Sequence, residues 1–334
     1  MLFFLLCAKQ NSVAQNGQTQ NGLERFLRPS IDSIIKPRLY GVTAAATVGY
    51  VGLTFGFNEL WYKDYPRSNF HFFDDSQEWN QMDKVGHLCT AYYQSRIAGD
   101  VYQWTGIKHR KAALLGAGTG MLLQTTLEML DGFSAEWGFS PTDELANLGG
   151  CSLYLSQELA WREQRISFKI SSHGRPSSLK DVKLTSVNNP LATTTLEARA
   201  AALYGTAPQE ILIKDYNTMT MWTSVNIWSF LPNRETSRFP TWLNVAVGYG
   251  AENLYRGENA YDWTDKQGNR FELNSLEYPR YRQVFLAPDI DFTKIKTKSH
   301  LLKFVFKGLS VFKFPMPTLE YNTTGKFVFH PIYF

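Results

Sequence analysis

The sequence predicts an α+β chain, mainly helical, with an apolar four-helix bundle followed by a mixed helix and strand region. Three observations lead there. Between Arg38 and Arg162 the chain runs in long stretches with few charges. From Ile166 onward the texture turns to short alternating runs broken by Ser, Asn, Gly and Pro. Finally, Lys298 to Phe312 sets Leu301, Leu302, Val305, Leu309 and Phe312 at helical spacing beside several lysines, the pattern of a basic amphipathic helix.

The 334 residues are enough for a substantial core. Charged residues make up 19% of the chain, below the usual quarter or so. A net charge of +4 is too mild to argue for nucleic acid, and no basic cluster is interleaved with stacking aromatics.

Residues 1–15 read as the remnant of a signal peptide. Leu2 to Ala8 is a short apolar run, and Ser12-Val13-Ala14 is a small-x-small triplet, although a basic leading region is missing. Leu6 ahead of Cys7 departs from a lipoprotein signal, which wants a small residue there. Export permits a disulfide between Cys89 and Cys151, and two buried free thiols are at least as well supported. Residues 16–37 read as a flexible lead, 38–162 as the bundle and 163–334 as the mixed region.

The first bundle helix, Arg38 to Glu59, has twenty uncharged residues between its ends and fits either a bilayer span or a core helix. Three more are expected at Asp83 to Tyr102, Lys108 to Met129 and Pro141 to Arg162. The Gly116-Ala117-Gly118-Thr119-Gly120 run lies inside a helical pattern, so it reads as close helix packing and not as a phosphate loop. Further along, Leu196 to Tyr204, closed by Gly205, reads as a helix, as do Pro208 to Lys214 and Asp215 to Phe230. Strands are expected at Ile166 to Ser171, Trp242 to Tyr249, Arg282 to Asp291 and Thr318 to Phe334. A terminal Phe334 suits an outer-membrane barrel, but Pro331 interrupts the last strand and eight alternating strands cannot be counted. Lys298, Lys303, Lys307 and Lys313 would meet an anionic membrane surface, each worth about 1 kcal/mol when well placed; a solvated basic face is the plainer alternative.

A few ionisable residues on these apolar helices form a candidate site, because polar groups there are costly unless they pair or act on something. Asp83 and His87, four apart, share a helical face, and a carboxylate beside an imidazole fixes its tautomer and raises its basicity. Asp83 alone would also serve as a helix cap. Gln124, Glu128 and Asp131 share a second face, where an inward Glu128 would need a cationic partner such as Lys84. Ser140-Pro141-Thr142-Asp143 has the form of a capping box, which accounts for Ser140 and Asp143 but not for Asn147 one turn on. His87, Glu128 and Asp143 are the candidate catalytic residues, as acid, base or metal ligands. Asp83, Lys84, Gln124, Asp131, Ser140 and Asn147 support them.

The set Met82-Asp83-Lys84-x-x-His87, Glu128 with Asp131 and Gly132, and Phe139-Ser140-x-x-Asp143 through Asn147 and Gly149 resembles the uncharacterised YfiM-like family of predicted bacterial envelope proteins. It is similar, more distantly, to the Asp-Lys-x-x-His pattern of VanZ-like membrane proteins. Lys214 to Asn217, Trp242 to Gly250 and Asp289 to Lys298 look like a longer branch of the same family. The resemblance implies an envelope location and a helical core, with no established reaction. Two functions follow as expectations: a membrane-associated, non-catalytic envelope protein whose polar cluster locks the bundle, or a metal- or acid/base-dependent hydrolase acting on lipid or other envelope material. The sequence names no cofactor and no partner beyond the lipid surface.

Overall fold

A computed structural model of the protein describes residues 22–30, 33–57 (backbone alone for 53–57) and 66–334. The expected signal remnant, residues 1–15, lies outside the described residues, as do 16–21 of the lead. Helices α1 (Gly22–Leu27) and α2 (Lys36–Phe57) come first, followed by three long helices, α3 (Met82–Trp104), α4 (His109–Asp131) and α5 (Pro141–Ala160). Next are β1 (Ile166–Ser172), the short pair β2 (Lys183–Thr185) and β3 (Thr193–Thr195), then α6 (Leu196–Tyr204) and α7 (Pro208–Lys214). The chain continues through β4 (Met219–Asn226), β5 (Leu243–Glu252), β6 (Asp262–Thr264), β7 (Arg270–Glu272) and β8 (Tyr281–Ile290). It closes with α8 (His300–Leu309), β9 (Met316–Asn322) and β10 (Phe327–Tyr333).

The expected mainly helical chain with an N-terminal four-helix bundle is not what forms. The largest layer is a six-stranded antiparallel sheet ordered β1-β4-β5-β8-β9-β10, and the helices that pack together lie in the middle of the chain. Only α3, α4 and α5 make a compact unit, with α3 against both others. Helix α2 has no apolar stripe: Ala, Gly and Thr are spread around it, and Tyr40, Val48 and Val51 are exposed. One tether is the Tyr50 hydroxyl against Thr126 Oγ1 at 2.7 Å. A second correction falls on Asp215 to Phe230, expected as a helix. Its β-branched and aromatic run Thr220, Trp222, Thr223 and Val225 forms β4, paired on both sides between β1 and β5.

Small residues let α3, α4 and α5 approach closely. A Cβ on Gly116 would lie 2.5 Å from the Ser95 carbonyl oxygen, one on Gly120 2.3 Å from Ser95 Oγ, and one on Gly150 2.1 Å from the Leu88 carbonyl. Gly118, between the first two, faces open space. The glycine run is a helix-packing surface, as its pattern predicts. Cys89 and Cys151 are free thiols, and Cys151 Sγ accepts from Ser95 Oγ at 3.3 Å.

Helix α3 joins the helical unit to the sheet. Met82 packs with Met219, Met221 and Leu254, and Tyr92 meets Phe168 edge-on at 5.2 Å. Phe168 and Met221 lie on the same face of the sheet as Val247, Leu286 and Leu319, by the strand register. The helices cover that face over β1, β4 and the Tyr249–Glu252 end of β5, where Met82 packs on Ala251 and Tyr249. The opposite face lines the core of the sheet, where Trp222, Ala246, Phe285 and Ala287 pack together with Tyr333. The sheet curls around this core: Val311 and Lys313 bond to Ile170 on the β1 edge, and the Tyr333 hydroxyl reaches Thr220 Oγ1 at 2.9 Å. A third cluster, Leu196, Ala200, Tyr204, Tyr255, Trp263 and Phe271, anchors α6 to the β6–β7 hairpin.

Helix α8 forms as expected, capped by its own Ser299. Glu24 of α1 also accepts from the His300 and Leu301 amides at 2.6 and 3.2 Å, so part of the expected flexible lead is helical and engaged. The structure takes Lys313 out of the expected lipid-facing set. Its ammonium is buried, bonded to the Pro288 and Phe314 carbonyls and 3.7 Å from Asp289. Among the described residues, no helix is long and apolar enough to cross a membrane.

Candidate functional site

The first turns of α3 and α5 and the last turn of α4 converge on one polar cluster. Helix α3 starts abruptly after Trp79, Asn80 and Gln81, three consecutive non-glycine residues with φ of 49°, 50° and 62°. Left-handed backbone at such residues costs on the order of 1 kcal/mol each and persists only where surroundings impose it. Here the Trp79 amide donates to the Gly257 carbonyl, Tyr249 donates to the Asn80 carbonyl, and Arg282 donates to Gln81 Oε1 at 2.6 Å. The turn brings Asp75 beside Lys84. It also leaves Asp83 without a capping role, since no side chain caps α3.

Lys84 is the hub. Its ammonium lies 2.7 Å from Asp75 Oδ1, 2.7 Å from Asp143 Oδ1 and 3.3 Å from Asp83 Oδ2. Burial works against that charge, but the surrounding carboxylates outweigh it and hold Lys84 firmly protonated. The other oxygens of the same two aspartates face His87. Nε2 is 3.8 Å from Asp83 Oδ1 and 4.0 Å from Asp143 Oδ2. Thus two carboxylates bridge a lysine and a histidine, each holding one with either oxygen.

The orientation of His87 follows from its neighbours. Asn147 Nδ2 donates to Glu144 Oε2 at 3.2 Å, and Glu144 Oε1 accepts from Thr125 Oγ1 at 2.5 Å. The Asn147 amide is thereby fixed with Oδ1 toward His87 Nδ1, 3.1 Å away. An amide oxygen only accepts, so Nδ1 carries a hydrogen. In the neutral ring the lone pair is on Nε2, aimed between Asp83 and Asp143. Burial disfavours the charged imidazolium, but Asp83, Asp143 and Glu128 raise its pKa above the ordinary value.

Glu128 is the most enclosed acid, with 2% of its side chain exposed. Its Oε2 accepts the Ser140 amide at 3.2 Å, and Oε1 lies 3.5 Å from His87 Nδ1. Burial pushes it up to about 8, with His87 opposing and the charges of Asp143 and Asp131 adding. Asp143 is driven up to about 7 by burial and then by Asp83. Burial also works against Asp75, yet its bonds with Asp143, Lys84 and Ser140 hold it below the usual carboxylate range.

The capping box forms only in part. Ser140 caps α5, accepting the Asp143 amide at 3.1 Å, but the acid that receives the Ser140 amide is Glu128 of α4. Asp143 is free to turn toward Lys84 and His87. Gln124 Nε2 reaches the His87 carbonyl at 3.5 Å, and Gln124 Oε1 is buried without a partner. Asp131 ends α4 and acts on the cluster through its charge. Lys298, Lys303, Lys307 and Lys313 lie elsewhere, on or beside α8.

Several members were not expected from the sequence. Asp75 binds Lys84 and takes hydrogen bonds from Ser140 Oγ at 2.6 Å and Thr142 Oγ1 at 3.1 Å. Tyr216, from the segment before β4, donates to Asp83 Oδ1 at 2.9 Å. For Asp75 the signal was an acid repeated in a short aromatic connector. For Tyr216 it was the Lys214-Asp215-Tyr216-Asn217 run noted with the resemblance.

Asp83, His87 and Asp143 each present one donor atom within 4.8 Å of the others, a set able to hold a metal ion. Four carboxylates, Asp75, Asp83, Glu128 and Asp143, here face two cationic side chains, Lys84 and His87. The cluster therefore balances its charge either by keeping protons on Glu128 and Asp143 or by taking up a cation. Chemically it is suited to holding a cation, to moving a proton through His87, or to locking three helix ends together.

Residues 71–157 match a family described as predicted periplasmic lipoprotein (DUF2279). The matched segment is a minority of the chain, and it contains the whole cluster except Tyr216. The description agrees with a location in the bacterial cell envelope, periplasmic or membrane-associated, and supports an uncharacterised envelope family. No curated protein and no solved structure matches the chain.

Proposed function

We propose that the protein is a cell-envelope protein with a divalent-cation-dependent acid–base centre at Asp83, His87 and Asp143, suited to hydrolysis of envelope material. One observation carries this reading. Asn147, fixed by Glu144, makes His87 Nδ1 the hydrogen-bearing nitrogen, so the Nε2 lone pair of the neutral ring points at two carboxylate oxygens 3.8 and 4.0 Å away. Three electron-rich atoms facing one another at that range repel unless a metal cation, or a proton on His87 or Asp143, sits among them. The separations are too long for hydrogen bonds. They are close to the roughly 3.5 Å spacing of ligands that share a zinc-sized ion with arms of about 2.1 Å.

The surrounding residues fit the outer shell of such a site. Asn147 orients the histidine, Lys84 holds the second oxygen of each aspartate, and Tyr216 donates to Asp83. When bound, a divalent cation would supply Lewis acidity and ease deprotonation of water. Glu128, pushed up to about 8 by burial, is the group placed to hold a proton near neutral pH on the far side of His87.

A second reading is favoured by a different observation. Lys84 ties Asp75 of the connector, Asp83 of α3 and Asp143 of α5 into one ion cluster, which suits a non-catalytic lock. The test is zinc or manganese uptake by the purified chain, measured with thermal melting for wild type and His87→Ala. Uptake lost in the variant with melting retained supports the cation centre. No uptake by wild type, with the variant melting well below it, supports the lock.

A further inference from the structure

We propose that the outer face of β5, β8, β9 and β10 is seated in the hydrocarbon of a lipid bilayer, with α8, which packs on the segment just after β8 through Phe292 and Phe306, at one end of it. This inference stands on the sheet alone and does not depend on the polar cluster.

The sheet departs from that of a water-soluble protein, where the outer face is polar and wet: its inner face mixes the Trp222, Ala246, Phe285 and Ala287 core with buried polar groups, and its outer face is apolar. Its inward positions carry Asn244, Gln283, Asp289, Thr318, Glu320 and Asn322, all buried. They pair with one another and with neighbouring side chains: Lys169 pairs with Asp289 at 2.7 Å, Ser224 donates to Asp289 at 2.6 Å, and Gln283 donates to Glu320 at 3.1 Å. The alternating outward positions are apolar and open. Val247, Leu286, Leu319 and Phe329 lie side by side across the four strands and are 49%, 50%, 55% and 60% exposed. Between Leu243 and Phe329 the only charged outward residue on these strands is Arg282, at the rim. Polar-in and apolar-out alternation is the pattern of strands that face lipid.

Length and rims agree with that occupant. Strand β8 has ten residues, the length of a strand that crosses a hydrocarbon layer of about 30 Å at a tilt. Strand β5 is open from Leu243 to Val247, and its far end lies under α3. Register places Tyr321 and Phe327 together near one end of the face, beside Tyr249, which packs against Met82 and donates to the Asn80 carbonyl. At the other end Trp242, which accepts the Asp291 amide, is exposed. Aromatic residues favour the two boundaries of a bilayer. Beyond that second end the chain exposes Lys296 and Lys298, then Lys303 on α8, a charge pattern complementary to anionic headgroups. Helix α8 itself exposes Leu301, Leu302, Phe304, Val305 and Leu309 and has no buried residue. A protein partner would account for one apolar patch. Lipid accounts for an apolar face bordered by aromatics, with lysines at one end and a paired polar core behind it.

The test is spin labelling of the full chain in vesicles of phosphatidylethanolamine and phosphatidylglycerol. Val247→Cys, Leu286→Cys and Leu319→Cys place labels on the face, and Leu276→Cys, in a loop position 92% exposed, is the aqueous reference. Identically treated wild type gives the background of the native thiols. Relaxation by dissolved oxygen with loss of relaxation by a water-soluble nickel chelate, relative to Leu276→Cys, is the expected result at all three positions. Relaxation by the chelate equal to the reference overturns the proposal. Shielding from both agents also overturns it, in favour of a protein contact. Zinc uptake by the same labelled proteins reports separately on the polar cluster, so failure of one reading does not mimic failure of the other.

Discussion

Replacing Lys84 by Met keeps the side-chain length and removes the charge at the centre of the cluster. The ammonium makes two contacts of 2.7 Å and one of 3.3 Å to three carboxylates, with 14% of its side chain exposed. At an effective dielectric constant of about 20, each 2.7 Å contact is worth roughly 6 kcal/mol of gross attraction. Desolvation of all four groups offsets most of that sum. What remains when one partner of a buried ion cluster is removed is about 3–5 kcal/mol, because the stranded carboxylates still need a counter-charge. Lys84→Met should therefore lower stability by about 3 kcal/mol or more in metal-free buffer, read by urea unfolding of the full chain. The same substitution leaves the proposed ligand atoms, Asp83 Oδ1 and Asp143 Oδ2, in place, since Lys84 binds the other oxygen of each. Saturating zinc, at about a hundred times its dissociation constant, should then restore roughly 2.7 kcal/mol. A variant as stable as wild type without metal would refute the hub role of Lys84. A destabilised variant that zinc does not restore would leave only the lock.

Further outcomes follow from other contacts. Asn147→Ala frees the His87 ring from its orienting acceptor and should weaken zinc binding about 10- to 100-fold, by competition titration, while far-ultraviolet dichroism stays unchanged. Gly150→Ala would place a methyl group 2.1 Å from the Leu88 carbonyl, forcing α3 and α5 apart at a cost of about 1–3 kcal/mol, read from the unfolding midpoint. Glu163, salt-bridged to Lys294 and Arg234, has its pKa held down to about 2: burial works upward, but the bonds and charges of those two cations prevail. Its folded value is below the unfolded 4.5, so its contribution is complete above that pH and fades as pH falls toward 2. Glu163→Gln should thus be less stable than wild type at pH 7, by about 1 kcal/mol or less given its partial exposure, and the difference should close between pH 4.5 and 2.

The helices of the middle region were legible because their signals are local. The i, i+4 pair Asp83 and His87, the glycines at 116 and 120, and Ser140-Pro141 each state a helix face, a packing surface or a start. The convergence of His87, Glu128 and Asp143 followed from the apolar setting of three helix ends. Asp75 and Tyr216 were not legible as members, since one depends on three left-handed residues held by distant strands and the other comes from beyond the helical unit. The Asp143 side chain looked spent on a cap because the acid that completes that cap, Glu128, is on another helix. The sheet shows a different limit. A period of two states that Val245, Val247 and Tyr249 share a face, but not which face is buried. The alternation alone therefore left open both the extent of the sheet and the side on which its apolar face lies. In β4 the apolar spacing of Met219, Met221 and Trp222 admitted a helix, and only pairing with β1 and β5 decided for a strand.

The most direct test of the central claim is elemental analysis of the full chain after equilibrium dialysis against zinc, wild type beside His87→Ala and Asp143→Ala. The account predicts stoichiometric zinc in wild type and its loss in both variants, with all three chains folded. Zinc absent from wild type, or retained when His87 is removed, would contradict it.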